Sequence, residues 1–393
     1  MAAFSYDSLK ETYKDFLYPM VEIQVEGTSI ADDRNQIPFS NVVVDLTSGF
    51  EANQATYDLY NCFDPFTSEF QFAKVKKYIL IGSQVSIYMG YSSQLREVFR
   101  GVICKVDFFL EEEDVPHITV TAMDIKAVMM ANHYHKQLSA KFYSGAVKEI
   151  FSQTVYENLK GIDGVVTDLN IFPTPDAPPA DVPEIPDNDL VDTDKTIEMV
   201  GESDYEFVVR IAKKFNYEFF CVSGQVNFRP AKIITSVLIE LNNYAKVHSL
   251  NVSYDITGLV GRVEVRGLDV GKGMPVSFMK MNTNKISKGA KAKMLTAGSQ
   301  YVYVDPTISS VLDAKNRVDY LYEDIIYRFG TLDMEIYGLP EIIPGRFVTI
   351  DGFGDAISND FYVVSVQHRF TQDGQFITRM VGKAAGMKGL LPV

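Results

Sequence analysis

Between Met20 and Ile125, apolar and polar residues change places at almost every position, in short runs parted by Gly, Asn, Asp and Ser. In Val21-Glu22-Ile23-Gln24-Val25, Val85-Ser86-Ile87 and Ile118-Thr119-Val120-Thr121, one set of side chains turns to a core and the other to water, as a half-buried strand requires. The first third of the chain is therefore a β-domain. Strand rhythm returns from Val247, with Val263 and Val265 on one face and Arg262, Glu264 and Arg266 on the other, and the last strands run from Gly345 to Val381.

Helix signals separate and punctuate these strands. After Lys141 the period lengthens, so that Val147, Ile150, Phe151, Val155 and Leu159 form one stripe, with Ser144 placed as its cap. Ser203 and Glu206 form a capping box ahead of Phe207, Val208, Ile211, Ala212 and Phe215, and this helix ends near Asn216. A hairpin follows, Tyr217 to Val222 and Val226 to Arg229 around a Ser223-Gly224 turn. A long helix from about Ser310 to Phe329 turns Val311, Ala314, Val318, Leu321 and Ile325 inward, and Gly330 is placed to end it.

Two segments stand apart in composition. Six prolines lie between Pro173 and Pro186, and proline removes backbone donors, so the acidic stretch from Pro173 to Asp194 reads as an extended, solvated loop. From Val270 to Val304 there are six lysines (Lys272, Lys280, Lys285, Lys288, Lys291, Lys293), four glycines and no acid, which reads as a mobile loop or a long strand pair. Opposite in sign, the two segments are able to meet between subunits or to face different partners.

An internal echo links the two β-regions. GSQVSIYMGYSSQLREVFRGVICKVDFF from Gly82 and GRFVTIDGFGDAISNDFYVVSVQHRFTQ from Gly345 share a glycine, a β-branched alternation (Val85, Ile87; Val348, Ile350), a turn and a Phe-led strand (Phe99, Val102; Phe361, Val364). The expected fold is α+β, mainly β: a β-barrel-like domain over 1–135, an α+β insert over 136–245, and a second, related β-barrel-like domain over 246–393. Two such units per chain let a trimer present six similar modules around one axis.

Composition narrows the function. With 51 acidic against 37 basic residues the net charge is −14, contrary to the basic surplus that phosphate neutralisation needs, so no direct nucleic-acid binding is expected. The three cysteines, Cys62, Cys104 and Cys221, have no CxxC spacing and read as free thiols. The N-terminus lacks a basic flank before an apolar run, and nowhere do eighteen apolar residues stand together, so neither a secretion signal nor membrane insertion is expected. The lone sequon at Asn251 is what chance supplies.

The run GESDYEFVVRIAKKFNYEFF, Gly201 to Phe220, resembles the ESDxxFxxRLAxxxGxxFF signature of phage late-control D and VgrG-type tail-hub proteins. Gly338 to Ala384 is similar to the closing barrel of that family, and Gly82 to Phe108 to its first barrel. Asn216 stands where many members have Gly, a tolerable change because Asn also visits the left-handed region.

The resemblance implies a baseplate or tail-tip hub: a homotrimer joining a six-fold tail tube to a trimeric spike, within a phage or phage-tail-like particle assembled in the bacterial cytoplasm. Its partners would be the tube protein, the spike and other baseplate proteins. VgrG-type proteins continue into a needle, whereas this chain stops at Val393, so a separate spike polypeptide is expected. That favours a phage, prophage or bacteriocin over a fused type VI spike. The alternatives are the hub of a non-contractile phage and a tail-associated cell-wall hydrolase.

Little in the chain suggests chemistry. His133 and His135 could turn toward a metal, yet no third ligand follows from their spacing, and His368 reads as a framework residue. GLDVGKG at Gly267 lacks the span and the Ser/Thr of a phosphate cradle, and Gly352-x-Gly354 reads as a turn. The acidic run Glu111-Glu112-Glu113-Asp114 fits a solvated hairpin turn. No enzymatic activity, catalytic residue, metal or cofactor is expected.

Overall fold

Two sets of six strands repeat one order of neighbours. In the first, Pro19–Val25, Gln84–Tyr91, Gln94–Phe109, His117–Met123, Gln54–Leu59 and Phe39–Thr47 lie side by side in that sequence. In the second, the places are taken by Val237–Leu241, Phe347–Ile350, Asn359–Phe370, Phe376–Ala384, Gly330–Tyr337 and Val247–Tyr254. The outermost strand differs: Pro19–Val25 runs antiparallel to its neighbour and Val237–Leu241 parallel. These positions come from a computed structural model describing residues 4–31, 37–112, 114–161, 164–177, 196–242, 244–269, 271–282 and 297–388. The fold is α+β and mainly β.

The repeats agree in backbone detail. The Gly82 N–H donates to the Ile103 carbonyl at 2.8 Å and the Gly345 N–H to that of Val363 at 2.9 Å, both glycines having positive φ (93° and 79°). One residue later each long strand bulges, at Cys104 in the first repeat and Val364 in the second, in its pairing with the closing strand. The true register differs from the sequence echo, however. Phe99 stands opposite Ile87 and Asn359 opposite Ile350, so Phe99 matches Asn359 rather than Phe361. A two-residue slip keeps every side chain on its own face, which is why alternation alone does not detect it.

One strand stitches the repeats together. Asn359–Tyr362 pairs with Phe347–Ile350, while Ser365–Phe370, on the same edge past the bulge, pairs with Val42–Thr47 of the first repeat. A single apolar core results, holding Ile23, Val44, Tyr57 and Val120 together with Met334, Val348, Phe361 and Met380. The N-terminal helix Tyr6–Thr12, which shows no strong sequence signal, adds Tyr6 and Leu9 to that core, and Tyr13 and Phe16 follow it there.

The middle region has its own core, with Ile150, Phe151, Phe207, Ile211, Phe219 and Phe228 packed together. Helix Asp204–Phe215 has the expected capping box, and Asn216 closes it in the left-handed region (φ 56°). The hairpin Tyr217–Val222 and Gln225–Pro230 follows. The helix after Lys141 departs from expectation. It runs Tyr143–Phe151 with Phe142 at its N-cap, and Ser144 lies inside it, its N–H held by Thr174 Oγ1 at 2.9 Å. Gln153 then turns extended (ψ 148°), a short helix Thr154–Glu157 restarts, and Val155 is left exposed.

Where the first repeat joins two strands by a short loop at 48–53, the second inserts residues 255–329. Met274–Met281 and Gln300–Val304 do not pair with each other there; they flank Arg262–Asp269, antiparallel on one side and parallel on the other. Helix Val311–Ile326 packs on this sheet, with the Ser310 Oγ accepting the Asp313 N–H at 3.0 Å. Val311, expected inward, is exposed in the first turn, and the helix stops at Ile326. Gly330 begins the next strand instead of capping the helix; a Cβ there would sit 2.9 Å from that of Ala384. Most of the proline-rich acidic loop and of the lysine cluster, 178–195 and 283–296, lies outside the described residues.

Candidate functional site

The residues weighed for chemistry do not converge. His133 and His135 are both exposed, and His133 faces Glu206 at 3.6 Å; among the described residues no three His, Cys, Asp or Glu side chains are grouped to hold a metal. Cys62 and Cys221 are buried, Cys104 is half-buried, and all three are free thiols whose pKa burial pushes up. Glu111, Glu112 and Asp114 are exposed at the tip between strands Gln94–Phe109 and His117–Met123, and Glu113 lies outside the described residues. Gly267 sits inside a strand, where a Cβ would meet the Ile308 carbonyl at 2.3 Å, so packing accounts for it. Gly352 and Gly354 take the positive φ of a turn, and Asn251 is exposed on strand Val247–Tyr254.

His368 is fully buried. The Leu339 N–H donates to Thr378 Oγ1 at 2.9 Å, and His368 Nδ1 lies 2.9 Å from that same oxygen, while Nε2 reaches the Ile342 carbonyl at 3.2 Å. The pattern is satisfied when Thr378 donates to Nδ1 and the Nε2–H donates to Ile342, which makes the imidazole neutral. Burial lowers its pKa to about 4.

The buried charges join elements. Glu218 accepts from Arg229 Nε at 2.6 Å and from the Tyr362 hydroxyl, and Arg229 Nη2 donates to the Gly345 carbonyl at 2.8 Å, tying the middle region to the second repeat. Burial pushes the Glu218 carboxyl up while Arg229 pulls it down. On the other side Lys126 donates to the Glu51 carbonyl at 2.7 Å and lies 5.1 Å from the Phe219 ring. Asp124 binds the backbone N–H groups of Asn53 and Lys126, each at 3.0 Å. These residues were missed in the sequence, yet a two-residue turn at Ser223-Gly224 dictates that Glu218 faces Arg229.

Apolar side chains stand exposed on the first repeat: Phe66 at 97 %, Ile81 at 70 %, and Phe72, Leu80, Phe108 and Leu110. A small hairpin supports them, its Phe70 ring 5.2 Å from that of Phe108. A groove between the middle region and helix Val311–Ile326 is lined by Lys232, Glu323, Tyr327 and Tyr362, but Lys232 is spent on Glu323 at 3.1 Å and on the Tyr327 ring at 4.4 Å. Among the described residues no helix is long and apolar enough to cross a membrane.

The paired-repeat, mainly β fold is shared with solved structures of tail proteins. A tail protein from Neisseria meningitidis matches 95% of this chain and 98% of its own length with a TM-score of 0.64 at 10% identity. The 43 kDa tail protein of prophage MuSo2 from Shewanella oneidensis matches 93% and 98% with a TM-score of 0.62, also at 10% identity. A component of the E. coli type VI secretion system, described as structurally similar to T4 bacteriophage tail proteins, matches 92% of this chain and 76% of its own with a TM-score of 0.51 at 11% identity. No protein-family model and no curated protein sequence matches the chain.

Proposed function

We propose that this protein is a structural hub of a tail or baseplate, a homotrimer that adapts a six-fold tail tube to a trimeric spike in a contractile phage tail or a related particle. The observation that carries the reading is the repetition of one six-strand order within one chain. Three chains then supply six similar modules to a tube ring while keeping three-fold symmetry toward a spike. The tail-protein fold of the solved structures and the late-control D and VgrG-like run from Gly201 to Phe220 support it. The hub works mechanically, so tube, spike and neighbouring baseplate proteins are its partners and no catalysis is assigned to it.

Light scattering after gel filtration tests the reading. A mass about three times the 44.1 kDa chain supports it. A monomer that stays monomeric when mixed with the tube and spike proteins overturns it, and clearing of cell walls in a zymogram would favour a hydrolase instead.

A further inference from the structure

Each repeat has a long strand whose far half, past the bulge, extends beyond its short neighbour. In the second repeat that edge is covered: Ser365–Phe370 pairs with Val42–Thr47 of the first. In the first repeat the matching half, Lys105–Phe109, pairs with His117–Thr121 on one side, and among the described residues no strand lies on the other. The counterpart of Val42–Thr47 is equally bare, since among the described residues Val247–Tyr254 pairs with Gly330–Tyr337 alone. The chain thus carries one filled joint and the two unfilled halves of a second.

We infer that the two bare edges join between copies of this chain, strand Val247–Tyr254 of one against Lys105–Phe109 of the next, in the register of the filled joint. This rests on the trimeric reading above and names the surfaces that build it. Carrying the filled register across the repeats sets Lys105 opposite Asp255, Val106 opposite Tyr254, Asp107 opposite Ser253 and Phe108 opposite Val252.

The side chains suit those places. Lys105 and Asp255 are opposite in charge. In the filled joint Gln367 donates to Asp45 at 2.9 Å, and in the open one Ser253 has a hydroxyl to donate to Asp107, which now holds Lys105 at 2.6 Å. Residues fully covered in the filled joint have half-open counterparts: Val44 and His368 are 0 % exposed, whereas Val252 is half-buried and Phe108 is 48 % exposed. Pro344, just before Gly345, is buried, while Ile81, just before Gly82, is 70 % exposed. Unpaired edges invite a strand. Because the two edges differ, the contact is head-to-tail and closes a ring when the rotation permits, with filled and new joints alternating around it.

The test is a disulfide in the full chain. In a Cys104→Val background, which places there the residue type found at the matching bulge, Asp107→Cys is combined with Ser253→Cys. Directly opposed residues of antiparallel strands have Cα atoms about 4.5–5.5 Å apart, within disulfide reach. Mild oxidation should give a reducible species of about three chain masses on a denaturing gel, with two-chain intermediates, and a second pair, Phe109→Cys with Asn251→Cys, should do the same. Asp107→Cys with Val252→Cys, which face opposite sides of the sheet, should stay single-chain. A trimer by light scattering that neither opposed pair can lock overturns this joint and leaves the trimer standing. A monomer that does not cross-link overturns both.

Discussion

At the scale of single residues the fold is pinned by buried polar groups that each have one permitted state. His368 is the clearest case. An ordinary histidine titrates near 6.5 and this one near 4, so between those values the unfolded chain binds the proton that the folded chain refuses. Stability from this group is complete above about pH 6.5 and is lost as pH falls to 4, a total of about 3 kcal/mol at 1.36 kcal/mol per pH unit. Denaturant titrations of the native chain and of His368→Gln should therefore converge by about that amount over this range; parallel pH profiles would refute the neutral imidazole. Asn216, which is half-buried, is held by its backbone instead. Its φ of 56° and its amide's donation to Glu323 are both ill-served by alanine, so Asn216→Ala should cost at least about 1–2 kcal/mol, read as a drop in denaturation midpoint, while glycine should recover the backbone part. Asn216 and the capping box were legible because their causes lie within a few residues. The Glu218–Arg229–Tyr362 cluster was not, since Tyr362 arrives from far along the chain.

At the scale of elements, local chemistry was read well where it acts alone and less well where packing overrules it. The helix Asp204–Phe215 follows from its cap, and replacing Ser203 by alanine, which removes the acceptor for the Glu206 N–H at 3.1 Å, should cost about 1 kcal/mol in thermal or denaturant melts. By contrast the stripe from Val147 to Leu159 suggests one helix where two are built, because Gln153 turns extended and Leu159 is drawn to the middle core from a separate turn. Gly330 and Gly338 show glycine chosen for space. A Cβ at Gly338 would fall 2.1 Å from the Phe376 ring, so Gly338→Ala should destabilise by about 1–3 kcal/mol, whereas Gly354→Ala, with nothing within 4 Å, should be limited by its backbone strain alone.

At the scale of the whole molecule the decisive pairing joins residues more than three hundred positions apart, Val42–Thr47 with Ser365–Phe370. No local pattern announces that contact, although the alternation that makes it possible was visible in both segments. Since both repeats share one sheet and one apolar core, they should melt in a single transition when followed by far-ultraviolet circular dichroism and by tyrosine fluorescence together. Two separated steps assignable to the two repeats would contradict a shared core. Of the expected resemblance, the likeness to tail proteins agrees with the fold of the solved structures.

The residues at 255–329 fill a hairpin in the second repeat that stays six residues long in the first, at 48–53. If the repeats alternate around a closed ring, this arm recurs at every second position. The ring would count six by its repeats and three by its arms, so a partner that docks on the repeats alone would find six similar seats, while one that grips an arm would find three. Viewed down the particle axis by electron microscopy, such a ring should show three projections on a six-lobed body, and six projections or none would argue against it.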